Sequence, residues 1–522
     1  MSDVMSKLVS LYLYKFIAIC IGILAITFLL KALYIRLTGG SGTAGSGGDK
    51  LSKGVRGSGL TIEKSKRISG FVFGRKNNKR IILNNNEEGH IAIFGGTGTG
   101  KTSAVVIPTL RNWNAPFFSI DISGDITKNV DVPKESKIML VPEDYRKGSL
   151  YNIFYKVDKE EDEHRKRNIL ENLVYLMIEI PEKAADAQIY FLTTARKIFF
   201  ASMLAFYDIG MEFTDICKTI YFNDLKTLIE LIEATENELA IGYIKPLYKE
   251  NEKNVAGAKN QLNDKIKLFA DDINMQMMIK RTSLIKKNVF SSRDIEDKKV
   301  FLNISDKMQE YYTPFIHIVT AQLLEYISGR VYDKNNDKRI LIVLDEFASI
   351  GYLNVLSPFR KFRKNGANLC ILTQSLIDID LVYSQNERKA ILDNCKYIVV
   401  LEAKDNGTRE YFSNLVGKEN MEQKSTSKSK HGSSINTSVQ RKYIIEPEYW
   451  KNLKDNLVVI HSKGYLVLKK NFYYKDYSSL FNKARKFIQK KQYKIIGINI
   501  WQGFKKSLKS RNKALFFNKS KD

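Results

Sequence analysis

Gly95-Gly96-Thr97-Gly98-Thr99-Gly100-Lys101-Thr102 fits the spacing GxxxxGK[ST], the densest piece of chemistry in the chain. Glycines lack a Cβ, so consecutive backbone N–H groups can curl around phosphate oxygens, and a helix beginning at the end of the loop adds its positive terminal potential. Lys101 is then placed to bridge β- and γ-phosphates, and Thr102 to ligate magnesium. A second cluster is Asp345-Glu346, directly after the apolar run Ile340 to Leu344. Such a run predicts a strand buried on both faces, and acids at its carboxyl end lie where an α/β sheet binds ligands. Asp345 is expected to hold magnesium through water, and Glu346 to polarise an attacking water, the role that separates hydrolysis from mere nucleotide binding.

Three further sites have two readings each. Gln374 ends the strand-like run Asn368 to Thr373 and is either a γ-phosphate sensor or a capping side chain. Arg360, Lys361, Arg363 and Lys364 form either a solvated basic face or the source of an arginine finger for a neighbouring subunit. Asp121, after the strand-like Ala115 to Ile120, is either an acid near the magnesium or a structural one. The five histidines stand singly and the four cysteines form no CxxC pair, which argues against a zinc site or a disulfide framework.

The elements that must position these groups follow an α/β pattern. Short β-rich runs such as His90 to Phe94 alternate with helix-like segments from Ile62 onward. Between Lys156 and Met278 long helical periodicities take over, for instance Pro181 to Tyr207 and the segment capped by Asn223 or Asp224. Strand patterns resume at Lys299 to Ile304, Arg339 to Leu344, Asn368 to Leu372 and Tyr397 to Leu401. The Ser/Lys/Thr-rich stretch Lys424 to Ser438 is expected to be an exposed loop. The expected organisation is an anchor at 1–37, a linker at 38–60, nucleotide-binding parts at 61–155 and 279–480 enclosing an all-α segment at 156–278, and a tail at 481–522.

Leu8 to Leu30 is a 23-residue run with Lys15 as its only charge, about 35 Å as a helix and enough to cross a hydrocarbon core of roughly 30 Å. Lys31, Arg36, Lys50, Lys53 and Arg56 follow it and only Lys7 precedes it, so the positive-inside rule leaves the bulk of the chain in the cytoplasm. Gly39 to Gly59 holds nine glycines in 21 residues, the composition of a flexible linker. The whole chain carries a net charge of +26, which suits a polyanionic partner and disfavours small acidic proteins. That surplus is uneven: residues 156–278 carry 16 basic and 22 acidic groups, whereas Phe481 to Asp522 carries 13 basic groups against Asp522, with aromatics such as Phe487, Trp501 and Phe504 between them. Basic and aromatic residues interleaved in this way suit single-stranded nucleic acid or an anionic lipid surface, the other reading being a solvated basic tail with no dedicated partner.

GGTGTGKT at 95–102, IDISGDI at 120–126, LDEFASIG at 344–351 and FRKNGANLCILTQS at 362–375, together with the helical segment and the ending around Tyr443 to Tyr449, resemble the TraG/TraD-type coupling proteins of type IV secretion and bacterial conjugation. The resemblance runs from the apolar span to about Tyr477. It implies a RecA-like P-loop NTPase with a parallel central sheet, an inserted all-α domain and an N-terminal transmembrane helix in the bacterial inner membrane. It also implies ATP and Mg2+ as cofactors, a homo-hexameric ring, and partners in single-stranded DNA, a relaxase or relaxosome, and secretion-channel proteins. Arg363 matches the family's candidate trans-acting arginine. Two departures stand out: the family usually has a pair of N-terminal membrane helices where this chain has one clear span, and its DPKGE-like segment reads Asp121-Ile122-Ser123-Gly124-Asp125, with Ser123 in place of lysine. An FtsK-type double-stranded DNA translocase and a non-hydrolysing membrane docking platform are the alternatives. Neither several membrane spans nor a C-terminal winged helix supports the first, and Glu346 and Gln374 argue against the second.

Overall fold

The computed structural model describes residues 52–55, 57–63, 67–180, 184–282, 288–429 and 432–475. The apolar run at 8–30, most of the glycine-rich segment and the basic tail at 481–522 therefore lie outside the described residues. Two compact units are distinguished, and of the first the described part lies within 417–442.

The second unit is organised on one large sheet. Its amino-terminal strands are β1 (Ser52–Lys53), β2 (Thr61–Ile62), β3 (Gly70–Lys76), β4 (Lys79–Asn84), β5 (His90–Phe94), β6 (Phe117–Asp121) and β7 (Lys137–Leu140). The short strands β8 (Leu150–Tyr151) and β9 (Val289–Phe290) pair with each other in parallel. After them come β10 (Lys299–Asn303), β11 (Ile340–Leu344), β12 (Ala367–Thr373) and β13 (Cys395–Val400). A long hairpin of β14 (Lys418–Ser429) and β15 (Gly432–Tyr443) precedes the closing strands β16 (Asn456–His461) and β17 (Gly464–Lys469). The order across the main sheet is β2-β4-β3-β17-β16-β13-β5-β12-β11-β6-β10-β7, with β1 beside β17.

From β13 to β7 every pairing is parallel, while β13-β16, β16-β17, β17-β3, β3-β4 and β4-β2 are antiparallel. The parallel half needs helical cover on both faces, and its strands show why. Ile340, Ile342 and Leu344 of β11 join one apolar layer and Leu341 and Val343 the other, as Ala92 and Phe94 of β5 do against Ile91 and Ile93. With a side-chain period of two, an unbroken apolar run is what fills both layers at once.

Between β8 and β9 the described elements are helices. Asp162, Asp224, Asn237, Asn251 and Asp272 each accept a backbone N–H of the following turn, so short polar side chains set several of the helix starts. The Asp186–Asp208 helix is long and apolar enough to cross a membrane, yet 67% of its most apolar window is buried inside the protein. It is the core helix of this segment, running from Leu192 to Phe206 among buried neighbours.

The Ser/Lys/Thr-rich stretch 424–438 is not a loop. It forms most of β14 and β15, a two-stranded sheet of its own. Strand formation draws on backbone N–H and C=O groups that every non-proline residue supplies, so a polar hairpin carries none of the apolar alternation by which a half-buried strand is recognised.

Candidate functional site: a phosphate loop at the carboxyl edge of the parallel strands

Register brings the candidate residues to one edge. Thr373 lies beside Phe94, Leu344 beside Ile371, and Leu344 beside Ile120. The glycine loop, Gln374 and Asp345-Glu346 follow these strands and Asp121 ends β6, so four separate sequence segments meet where the parallel strands end. The loop is seated by Gly95 N–H, which donates to Thr373 O at 3.2 Å, and by Thr99 Oγ1, which donates to Gly96 O at 2.8 Å. Lys101 to Val106 then winds as a wide π-helical turn that continues into the Ile107–Asn112 α-helix. The loop's backbone donors thus sit at a helix start, the geometry that favours anions.

Lys101 is buried, and its Nζ donates to Gly95 O at 2.7 Å while standing 3.7 Å from Glu346 Oε1. Thr102 Oγ1 donates to Asp345 Oδ2 at 3.2 Å, and Glu346 N–H donates to the other oxygen, Oδ1, at 3.2 Å. Burial, then the neighbouring Glu346, push Asp345 up to about 7, with Lys101 opposing. Glu346 itself adopts φ 51° and ψ 50°, a left-handed conformation that costs a β-carbon-bearing residue about 1–2 kcal/mol. That backbone shape coincides with the end of the buried β11, where the Glu346 side chain reaches toward Lys101.

These donors suit a magnesium nucleotide. A hydroxyl and a carboxylate oxygen converge within 3.2 Å beside a lysine, and no group of three or more His, Cys, Asp or Glu side chains among the described residues could cage a metal without further ligands. Mg2+ characteristically takes one or two protein oxygens and fills the rest of its octahedron with water and phosphate.

Asp121 is fully buried and fully engaged. Its Oδ1 accepts from Ile126 N at 3.3 Å, and its Oδ2 from Thr127 N at 2.7 Å and Asn303 Nδ2 at 3.3 Å, so it ties β6 to the Asp125–Asn129 helix and to β10. These bonds fit the structural reading of this acid, and its charge also stands close enough to Asp345 to push that carboxyl up. Gln374 is exposed at the end of β12, on the edge that carries the loop.

Arg363 lies at the opposite edge. It pairs with Glu88, at 2.6 Å, two residues before β5 begins, whereas the phosphate loop follows the end of that strand. Five strand residues separate the two ends by roughly 17 Å, so Arg363 is not brought to the Lys101 site of its own chain. His90 is a core residue: its Nδ1 accepts from Leu369 N at 2.9 Å and its ring packs edge-on against Phe359.

Two groups at the site carried no motif. Glu402 and Lys404 follow β13, paired at 3.7 Å, and a Cβ on Gly96 would come within 2.9 Å of Glu402 Oε2 and 3.5 Å of Lys404 Nζ. Phe472 follows β17 and would meet a Cβ on Gly100 at 3.0 Å. Only the signal that both segments follow strands ending at this edge could have pointed to them. A cavity of about 790 Å3 lined by Asn172, Glu179, His317, Glu325 and Arg330 takes no residue from 95–102, so it is separate from the phosphate loop.

Residues 52–500 match the family model for type IV secretory system conjugative DNA transfer. VirD4 of Agrobacterium fabrum is 23% identical over 444 residues, covering 80% of this chain and 64% of that protein. The type IV secretion system-coupling protein VirD4 of Bartonella henselae is 23% identical over 399 residues, covering 72% of this chain and 61% of its own length. The match therefore spans somewhat under two thirds of these relatives. The plasmid coupling protein TrwB, solved in complex with ADP and Mg2+, superposes with a TM-score of 0.60 at 18% identity, covering 82% of this chain and 95% of TrwB as solved, which establishes a shared α/β fold. A family match over most of the chain, on a fold whose phosphate loop and acid pair meet at one sheet edge, places this protein in the type IV secretory system conjugative DNA transfer family.

Proposed function

We propose that the protein is a membrane-anchored ATP hydrolase that recruits single-stranded DNA with its relaxase, or protein substrates, and drives them into a type IV secretion channel. The observation that carries this reading is the convergence of Lys101, Thr102, Asp345 and Glu346 within hydrogen-bonding or ion-pair reach. Similarity to TrwB, solved with ADP and Mg2+ and also with a non-hydrolysable ATP analogue, supports ATP and Mg2+ as the cofactors. Bound Mg·ATP supplies the phosphoanhydride and a cation that spreads its charge. Lys101 holds the phosphate end, Thr102 and Asp345 orient the cation, Glu346 takes a proton from water and Gln374 senses the terminal phosphate.

In this reading the residues divide as 1–37 anchor, 38–60 linker, 61–155 and 279–480 nucleotide-binding, 156–278 all-α and 481–522 tail, with a single span in the inner membrane and the bulk in the cytoplasm. A homo-hexameric ring places Arg363 of one subunit against a neighbour's nucleotide. Its position at the edge away from its own loop supports a role in trans rather than in cis. Steady phosphate release from Mg·ATP, lost in Lys101→Ala and in Glu346→Gln while the latter still binds ATP, is the expected result. Equal release by all three proteins would refute it.

A further inference from the structure

Residues 470–475 leave β17 and cross the start of the helix that carries the phosphate loop. They are pinned along their length. Lys470 N–H donates to Asp455 O at 2.8 Å, the buried Asn471 takes a hydrogen bond from Arg75 Nε, and Arg111 Nη1 donates to Tyr473 O at 3.5 Å with its guanidinium 4.9 Å from the Tyr473 ring centroid. Arg111 is itself fixed by donating to Asn129 O at 2.6 Å. So held, the segment presents two rings at the loop. Phe472 lies against Gly100, whose φ of 102° and lack of a Cβ permit the close approach, and Phe472 and Tyr474 stack with centroids 5.2 Å apart and planes 28° apart. Tyr474 is 51% exposed, and Lys475 Nζ stands 4.9 Å from the Phe472 centroid.

Two sides of the loop are already committed to charge. Asp345 and Glu346 flank Lys101 and Thr102 on the β11 side, and Glu402 with Lys404 flanks Gly96 on the β13 side. Neither offers a flat apolar surface. The aromatic pair does, beside the last glycine before Lys101. The geometry points to Phe472 and Tyr474 as the stacking face for the base of the bound nucleoside triphosphate. This rests on the nucleotide reading above and adds to it a site for the part of the ligand that the phosphate motif does not touch. Stacking on an aromatic face is tolerant of base identity, because every base has a π-face.

The test compares Mg·ATP with Mg·tripolyphosphate, which has the phosphates and no base, by equilibrium binding to the full chain. Tyr474→Ala and Phe472→Ala should each weaken ATP roughly ten- to a hundredfold while leaving tripolyphosphate affinity unchanged. In Phe472→Trp, indole emission should respond to ATP and not to tripolyphosphate. The proposal is overturned if ATP affinity survives both alanine substitutions, if both ligands weaken in parallel because the rings merely brace the loop, or if the tryptophan responds alike to both. Strong tripolyphosphate binding by wild type with no base effect would leave the phosphate site standing and remove only the stacking face. Failure of wild type to bind either ligand would overturn the nucleotide reading and this proposal together.

Discussion

Thr102 Oγ1 donates a 3.2 Å hydrogen bond to Asp345 Oδ2, linking the end of the glycine loop to the end of β11 across 243 positions of sequence. In the proposed nucleotide site, this bond would hold the Thr102 hydroxyl and the Asp345 carboxylate side by side before a magnesium ion arrives. Preorganisation of this kind lowers the cost of binding a small, strongly hydrated ion.

Removing either partner should therefore raise the Mg2+ requirement. Thr102→Ala and Asp345→Asn are each expected to shift the Mg2+ midpoint for nucleotide binding upward by about tenfold or more. A magnesium titration at fixed ATP reads the shift, and unchanged midpoints in both variants would dissociate these residues from the metal.

Glu346 combines an adverse backbone with a side chain 3.7 Å from Lys101. Glycine adopts φ near 50° without the Cβ clash, at some cost in unfolded-state entropy. Glu346→Gly should accordingly be more stable than wild type by about 0.5 kcal/mol and yet lose turnover by roughly 10²- to 10⁴-fold. Calorimetric unfolding beside phosphate release checks both halves. A less stable glycine variant would show that the conformation carries no strain.

The turn bearing Arg363 is clamped from beneath. Arg330 donates to Asn365 O at 3.2 Å and Gly366 O at 3.3 Å, Asn365 donates to Arg330 O at 2.7 Å, and the Tyr332 ring lies 5.1 Å from the guanidinium carbons of both Arg330 and Arg339. If Arg363 acts on a neighbour's nucleotide, Arg363→Ala should cost roughly 10³-fold or more in turnover, and Tyr332→Ala should lose turnover through the same step. Mixing either variant with Glu346→Gln should restore activity at interfaces that pair an intact arginine with an intact acid. Mixing Arg363→Ala with Tyr332→Ala should not. Rings that form and stay inactive in every mixture would exclude the trans role.

Burial holds His90 well below the usual range, at about 4 against 6.5 for a free side chain. The folded protein keeps the ring neutral while the unfolded chain takes up a proton below 6.5. This group's contribution is thus complete above pH 6.5 and is lost as pH falls toward 4, up to about 3 kcal/mol. His90→Asn keeps an acceptor for Leu369 N–H without titrating near this range, so its unfolding free energy should lose that part of the pH dependence. Parallel profiles for the two proteins between pH 4 and 6.5 would show that His90 does not set the slope.

Much of the site is written in local sequence because each part is short and stereotyped. A loop that must approach phosphate with its backbone needs glycines at set intervals, and a strand buried on both faces needs an unbroken apolar run, so residues 95–102 and 340–346 announce themselves. Most of the parallel half of the sheet was legible for the same reason, the edge strand β7 excepted. The antiparallel half was not, since β3, β4, β16 and β17 are joined by tight turns whose signals do not say which sheet they extend. The polar hairpin of β14 and β15 was missed because its sequence carries no apolar alternation, while its ladder needs only the backbone groups every non-proline residue has. Tertiary structure also supplied the partners of Asp121: a position at a strand end suited both a metal neighbour and a cap, and only the fold brings Ile126, Thr127 and Asn303 to its oxygens. The same holds for Glu402 and Phe472, which stand more than 300 residues from the loop in sequence and reach it only because β13 and β17 end at the edge where β5 ends. Spacing encodes contacts within one segment, and the sheet's strand order creates those between segments.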